Sequence, residues 1–280
     1  MTDTVKTIGI VGPGRAGTGL GLALLSAGYD VRLHGRTARQ LPAPLESSWG
    51  ATPPWLDEVD VVILAVPDDA LAEVARALDA TGSVGERHTV LHLSGVLGAG
   101  VLGPLRSSGA AVGSLHPLQS LSDPMSAPER LRGAAAAIEG ETRAMGVAAE
   151  LARAVGLIPV GVPSRAKPLY HAAAVFASNY LVAVAATARR LLVTAGVPED
   201  DAWRLLVPLI RGTVENMILQ GPEEALTGPV ARGDVETIRR HLHALPNVEA
   251  DLYRALGRAA LRLVELDGER RGEIERELEG

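Results

Sequence analysis

The chain has 280 residues, 47% of them apolar, with a formal net charge of -6 and no cysteine. That length leaves room for two modest domains or one large one, and the missing cysteines exclude a disulfide framework, a thiolate nucleophile and a thiolate metal cage, so no metal site is expected. An acidic balance without a basic tract argues against nucleic acid or an anionic membrane as the main partner.

Met1-Thr2-Asp3-Thr4-Val5-Lys6 runs straight into the first strand and leaves no room for a signal peptide, so a cytoplasmic protein is expected. The first predicted strand, Thr7 to Val11, leads into Gly12-Pro13-Gly14-Arg15-Ala16-Gly17, and an apolar-periodic stretch with Leu20, Leu22, Ala23, Leu24 and Leu25 follows. This is a G-x-G-x-x-G turn between a strand and a helix. One glycine allows the tight turn, one lets the backbone approach a pyrophosphate and one lets the helix pack closely on its strand. The unpaired amides around Gly12, Gly14, Arg15, Ala16 and Gly17 then face the phosphates.

The second predicted strand, Asp30 to His34, decides the type of dinucleotide. An NAD site usually ends that strand with an acid that binds the ribose hydroxyls. Here Gly35-Arg36-Thr37 follows instead, and Asp30 lies about six residues too early. Arg36, Thr37 and Arg39 suit a 2'-phosphate, so NADP(H) is expected over NAD(H). Further strands are predicted over Val59 to Val66, Thr89 to Leu93, Ala110 to Leu115, Ala134 to Ile138 and Leu157 to Val162. Runs such as Val61 to Val66 are apolar without alternation, as in parallel strands covered on both faces. Residues 1–162 thus read as an α/β domain with a doubly wound parallel sheet. From residue 163 to 280 the pattern is all-helical, with helices near Pro168 to Ala195, Asp200 to Leu219, Val235 to His243 and Val248 to Asp267. Glu269 to Glu279 reads as a solvated helix or frayed tail. The Ala-rich run from Ala172 to Ala188 is expected to be a buried central helix, not a membrane span.

Ligands of open α/β sheets bind beyond the carboxyl ends of the strands. Val66 and Pro67 there suit a wall beside the cofactor, and Asp68 an N-cap. Ser94, in Leu93-Ser94-Gly95, is either a contact to nicotinamide or substrate or a turn residue. His116, extended because it precedes Pro117, suits a carbonyl or carboxylate, or a hydrogen bond to loop backbone. At helical pitch Lys167, His171 and Ser178 share one face, with Asn179 rotated partly away. Burying these polar groups in an apolar helix requires partners. A ligand or neighbouring helices would provide them, and a lysine or histidine there can be tuned to donate a proton. Arg232 either clamps a substrate carboxylate or is a solvated charge, and Asp234 is expected to cap the following helix.

Gly12-Pro13-Gly14, Ala65 to Asp68, Ser114-Leu115-His116-Pro117, Tyr170 to Ala174, Ala177 to Tyr180, Thr227-Gly228-Pro229 and Arg232-Gly233-Asp234 together resemble the Rossmann-like proteins with a DUF2520 C-terminal domain. That group is similar to two-domain reductases with a helical second domain: ketopantoate reductase, pyrroline-carboxylate reductase, prephenate dehydrogenase, and the 3-hydroxyisobutyrate and 6-phosphogluconate dehydrogenases. The resemblance implies a homodimer formed through helical domains and an active site in an interdomain cleft. Ketopantoate reductase and the hydroxyisobutyrate enzymes pair a lysine with an asparagine four residues later; Lys167 matches, but His171 takes the asparagine's place. The leading expectation is an NADPH-dependent reductase of a small carboxylate-bearing carbonyl compound, such as a ketopantoate-like 2-oxo acid. Lys167 or His171 would donate the proton, Asn179, Ser178 and Ser94 would orient the substrate, and His116 or Arg232 would hold its carboxylate. The alternatives are an imine or deazaflavin-dependent reductase and a redox-silent NADP-binding regulator.

Overall fold

The computed structural model describes residues 7–279; Met1–Lys6, on which the signal-peptide expectation rests, and Gly280 lie outside them. The chain divides into two compact units, Met1–Asn179 and Tyr180–Gly280.

The first unit is built on one sheet of β1 (Thr7–Val11), β2 (Asp30–Gly35), β3 (Glu46–Trp49), β4 (Val61–Leu64), β5 (Thr89–His92), β6 (Ala111–Pro117), β7 (Ala135–Gly140) and β8 (Ile158–Gly161), in the order β3-β2-β1-β4-β5-β6-β7-β8. The first six strands are parallel, in the order of a dinucleotide-binding sheet that reverses between β1 and β4. Alternate residues supply two cores, one on each face. Ile8, Ile10, Val61, Ile63 and Leu91 pack with α1 (Arg15–Ser26), while Val62, Leu64, Val90 and Val112 pack with α2 (Leu71–Asp79) and α3 (Gly103–Ser107). Between β6 and β7 the chain forms only a 3-10 turn and the one-turn α4 (Ala127–Arg130); α5 (Thr142–Ala154) then covers the outer strands.

The expectation of a purely parallel sheet is corrected at its far end, where β7 runs antiparallel to β6 and β8 parallel to β7. A short α4 cannot cover a sheet face as a crossover helix would, and an antiparallel return needs none. β3 was not predicted because Glu46-Ser47-Ser48-Trp49 has no apolar run; it is an edge strand with no residue buried.

The single helix expected from Pro168 to Ala195 is two, α6 (Lys167–Ala177) and α7 (Asn179–Thr194), parted at Ser178, whose φ of -125° and ψ of -72° lie off the helix. Ser and Asn compete for backbone groups and favour such breaks. The burial expected of this run is also corrected. Among the described residues, Lys167 is the only buried residue of α6, and α7 has none. By length and composition alone, Ser164–Thr194 is apolar enough to cross a membrane, but its first turn is tied to the sheet through Lys167.

The second unit continues with α8 (Glu199–Gln220), α9 (Pro222–Ala225), α10 (Val235–Ala244), α11 (Asn247–Ala260) and α12 (Gly268–Glu279). The helix expected to reach Asp267 ends at Ala260 and tightens into a 3-10 turn over Leu261–Leu263. The charged end is no frayed tail. Ile274 and Leu278 of α12 are fully buried against Val235, Ile238 and Leu261.

Candidate active site

β1 ends where the strand order reverses, and the glycine turn follows. Gly12 has a φ of +108°, and a Cβ there would lie 2.3 Å from the Ala65 carbonyl oxygen, so only glycine fits. Its N–H donates to the His34 carbonyl at 2.9 Å. A Cβ on Gly17 would lie 2.1 Å from the Gly12 oxygen, so α1 can press onto the turn only without one. Gly14, the N-cap of α1, faces open space; no side chain caps that helix end and its first turn holds no acid. Uncapped amides and a positive helix end make this an anion site.

A cavity of about 540 Å³ opens beside the turn, lined by Gly12, Gly14, Val66, Pro67, Arg36, Thr37 and Arg39 among others. Arg15 and Ala16 are exposed on the first turn of α1, and Gly17 is buried beneath it. Asp30 sits at the opposite end of β2, 3.5 Å from Arg32. His34 is held through Nδ1 by the Ser48 hydroxyl at 3.0 Å and through Nε2 by the Gly50 carbonyl at 3.1 Å. Burial lowers its pKa.

The second constellation follows from strand register. Val11, Leu64, His92, Ser114 and Glu139 form one row across β1, β4, β5, β6 and β7. Directly paired residues share a face and side chains alternate along each strand, so His116 also joins that face. The row is apolar under the glycine turn and polar toward β7. Lys167, the first residue of α6, is fully buried over the polar part. Its Nζ donates to the Ser94 carbonyl at 2.9 Å and to the Ser114 hydroxyl at 2.7 Å. Ser114 in turn donates to Glu139 Oε2 at 3.4 Å. The Glu139 carboxylate also accepts from the Ala99 amide at 2.9 Å and from the Ser164 hydroxyl. Burial pushes Lys167 down to about 8, with the charges of Glu139 and Asp68 opposing that shift. Burial, and next the Lys167 charge, lower His92 to about 4. Its Nδ1 accepts from the Ser94 amide at 3.1 Å, and a backbone hydrogen bond with Gly98 opposes the shift.

His116, Tyr170, His171, Ser178 and Asn179 line a cavity of about 760 Å³. His116 Nδ1 lies 3.1 Å from the Tyr170 hydroxyl, and its ring meets those of Tyr170 and His171 edge to face at 5.6 and 5.7 Å. Burial, then the charges of His171 and Lys167, push His116 down to about 4. Burial likewise raises the Tyr170 phenol. A Cβ on Gly95 would lie 2.5 Å from His171 Nδ1, itself buried and unpartnered, and 2.8 Å from His116 Nε2. Both imidazoles converge on that glycine.

The expected shared face of Lys167, His171 and Ser178 is thus only partly formed. Lys167 points into the sheet, His171 lines the cavity, and the break at Ser178 leaves Ser178 and Asn179 exposed along its wall. The Ser94 hydroxyl accepts from the Val96 and Leu97 amides at 3.2 and 2.9 Å, the turn role of the two considered. Asp68 does not cap a helix. It opens a 3-10 turn with Pro67 in the cap position and no side-chain cap bond. Asp234 does cap α10, accepting from the Thr237 amide at 3.1 Å. Arg232 belongs to the second unit, with its exposed guanidinium 4.0 Å from Asp234. His92, Glu139, Ser164 and Tyr170 were not singled out from the sequence. A histidine inside Val90-Leu91-His92-Leu93 and an acid closing Ala135-Ala136-Ala137-Ile138-Glu139 were the available signals.

Among known proteins, a Rossmann-like family model matches residues 1–117, and the model described as "Domain of unknown function (DUF2520)" matches residues 134–260. No curated protein matches the chain. Among solved structures it is similar to protein TM1727 from Thermotoga maritima, at 26% identity and a TM-score of 0.72, over 91% of this chain and 97% of that one. It is also similar to BF3122 from Bacteroides fragilis, described as a candidate NADP oxidoreductase, at 25% identity and a TM-score of 0.74 over 92% and 98%. Pyrroline carboxylate reductase from Plasmodium falciparum, solved with NADP bound, shares the fold at 13% identity and a TM-score of 0.58 over 100% and 97%. The chain is thus similar to Rossmann-like domains over residues 1–117 and to DUF2520 domains over residues 134–260.

Proposed function

We propose that this protein is an NADP-dependent oxidoreductase that reduces a small carbonyl compound bearing a carboxylate, such as a 2-oxo acid. The observation that carries this reading is the glycine turn at the switch point of the sheet, opening on a cavity lined by Arg36, Thr37 and Arg39. The residues fit the cofactor: Gly12 and Gly14 leave the backbone bare for a pyrophosphate, Val66 and Pro67 form a wall, and two guanidinium groups with a hydroxyl match a 2'-phosphate. When bound, NADPH supplies a hydride. The likeness to the Bacteroides fragilis protein supports the same cofactor.

Reduction of a carbonyl requires a proton for its oxygen; of Lys167 and His171, the two donors expected from the sequence, His171 is the one that lines the cavity. His116 and Asn179 stand on the cavity wall to orient the substrate. Reduction of a cyclic imine is the second reading. NADPH and NADH oxidation by the purified protein against 2-oxo acids and cyclic imines tests both. Turnover of an oxo acid with NADPH supports the first reading, turnover of imines alone replaces it with the second, and tighter NADH than NADPH binding overturns the cofactor assignment.

We further propose a cytoplasmic homodimer. The apolar residues Val182 of α7 and Leu205, Leu209 and Ile218 of α8 are 58 to 77% exposed in the single chain, more than a monomer's surface ordinarily leaves bare.

A further inference from the structure

We propose that Lys167 works without touching the substrate: Ser114 and Glu139 are positioning residues that hold its ammonium as a fixed buried charge, which acts through the imidazole of His116. This deepens the reductase reading and rests on it for the identity of the reaction.

The geometry of Lys167 differs from that of a contact donor. Its side chain is fully buried, and Nζ is engaged by a main-chain carbonyl and a hydroxyl at 2.9 and 2.7 Å. Two of its three N–H groups are thus taken, and Lys167 is not among the residues that line the imidazole cavity. The ammonium is compensated across the sheet, through Ser114 to Glu139, and the same carboxylate fastens the loop at Ala99 and the junction at Ser164. A buried cation costs several kcal/mol unless so paired. Of the chain's 27 basic residues only Lys6 and Lys167 are lysines.

His116 is the imidazole through which that charge reaches the cavity. It lines the cavity wall, is fixed at Nδ1 by Tyr170, meets the His171 ring at 5.7 Å, and stands on the same face of β6, two residues on from the Ser114 that holds Lys167. Lys167 itself is faced by Glu139 from β7, Asp68 after β4, His92 from β5 and His116 from β6. A fixed positive charge behind His116 disfavours its protonation. That imidazole is thereby kept as a neutral hydrogen-bond partner for the heteroatom being reduced.

The test needs no substrate. Protein labelled with isotopic lysine gives two side-chain NMR signals, and Lys6→Arg assigns them. Lys167 should titrate at about 8, at a still lower pH in Glu139→Gln, and near the ordinary value of about 10.4 in urea-unfolded protein. Reductive methylation with formaldehyde should leave Lys167 unmodified in the folded chain. In Lys167→Met, the His116 imidazole should begin to protonate at higher pH than in the parent. A Lys167 that methylates readily, that titrates like unfolded lysine or is indifferent to Glu139→Gln, or a His116 indifferent to Lys167→Met, overturns the proposal. Glu139→Gln keeps it falsifiable should Lys167→Met not fold. If turnover is absent but the titrations hold, only the reductase reading fails. If the titrations fail while NADPH turnover depends on Lys167, the reading stands with Lys167 as a contact donor.

Discussion

In the proposed NADP site, cofactor choice turns on Arg36. Removing a charge-assisted contact to phosphate costs about 1.5–3 kcal/mol, so Arg36→Ala should weaken NADPH binding roughly 10- to 100-fold and leave NADH nearly unchanged, as read by cofactor fluorescence. The buried histidines give a pH signature. His92 and His116 titrate at about 4 in the folded chain, against 6.5 as their ordinary value. Between those values the unfolded chain binds more protons, so stability should fall as pH drops from 6.5 toward 4. Lys167 adds a rise in stability from about pH 8 to about 10.5, because its folded value is the lower one. Urea unfolding across this range reads both slopes, and His92→Leu should flatten the acid one. Gly95→Ala should push the two imidazoles aside, reducing turnover at least tenfold with cofactor affinity unchanged; equal activity would show that their convergence is incidental. Much of this was legible at single positions. Gly12, Arg36, His116 and Lys167 announce themselves by type and local context, whereas Glu139 and His92 acquire their partners only through strand register, which no local pattern carries.

Among elements, those with strong periodicity were readable and those defined by their partners were not. β1, β2, β4 and β5 lie within or close to their apolar runs. The direction of β7 was hidden because Ala134 to Ile138 reads the same either way along a sheet. α12 shows the opposite failure: its mostly charged sequence suggested solvent, yet Ile274 and Leu278, four residues apart, fill the core of the second unit. Ile274→Ala should therefore cost about 2–5 kcal/mol in that unit, measured by chemical unfolding, whereas substitution in a frayed tail would cost nothing. The break at Ser178 has its own consequence for the site, since it ends α6 ten residues after Lys167 and leaves Asn179 on the cavity wall.

For the whole molecule, the uncovered apolar faces of α7 and α8 set the expected mass. Light scattering should give twice the 29.2 kDa of the chain, and Leu209→Asp should shift that value toward a single copy without loss of helix content. The two family models meet in the gap between Pro117 and Ala134, as though the protein were two separable halves. The sheet does not respect that seam. β6 and β7 lie on either side of it and are hydrogen-bonded neighbours, with Ser114 and Glu139 joined across the line. Cutting there would expose a raw sheet edge on both pieces and take the Ser114 hydroxyl away from Lys167 and Glu139, which both stay on the second piece. The first unit must therefore fold with both outer strands in place, and recombining it with a foreign partner should succeed only when those strands travel with it.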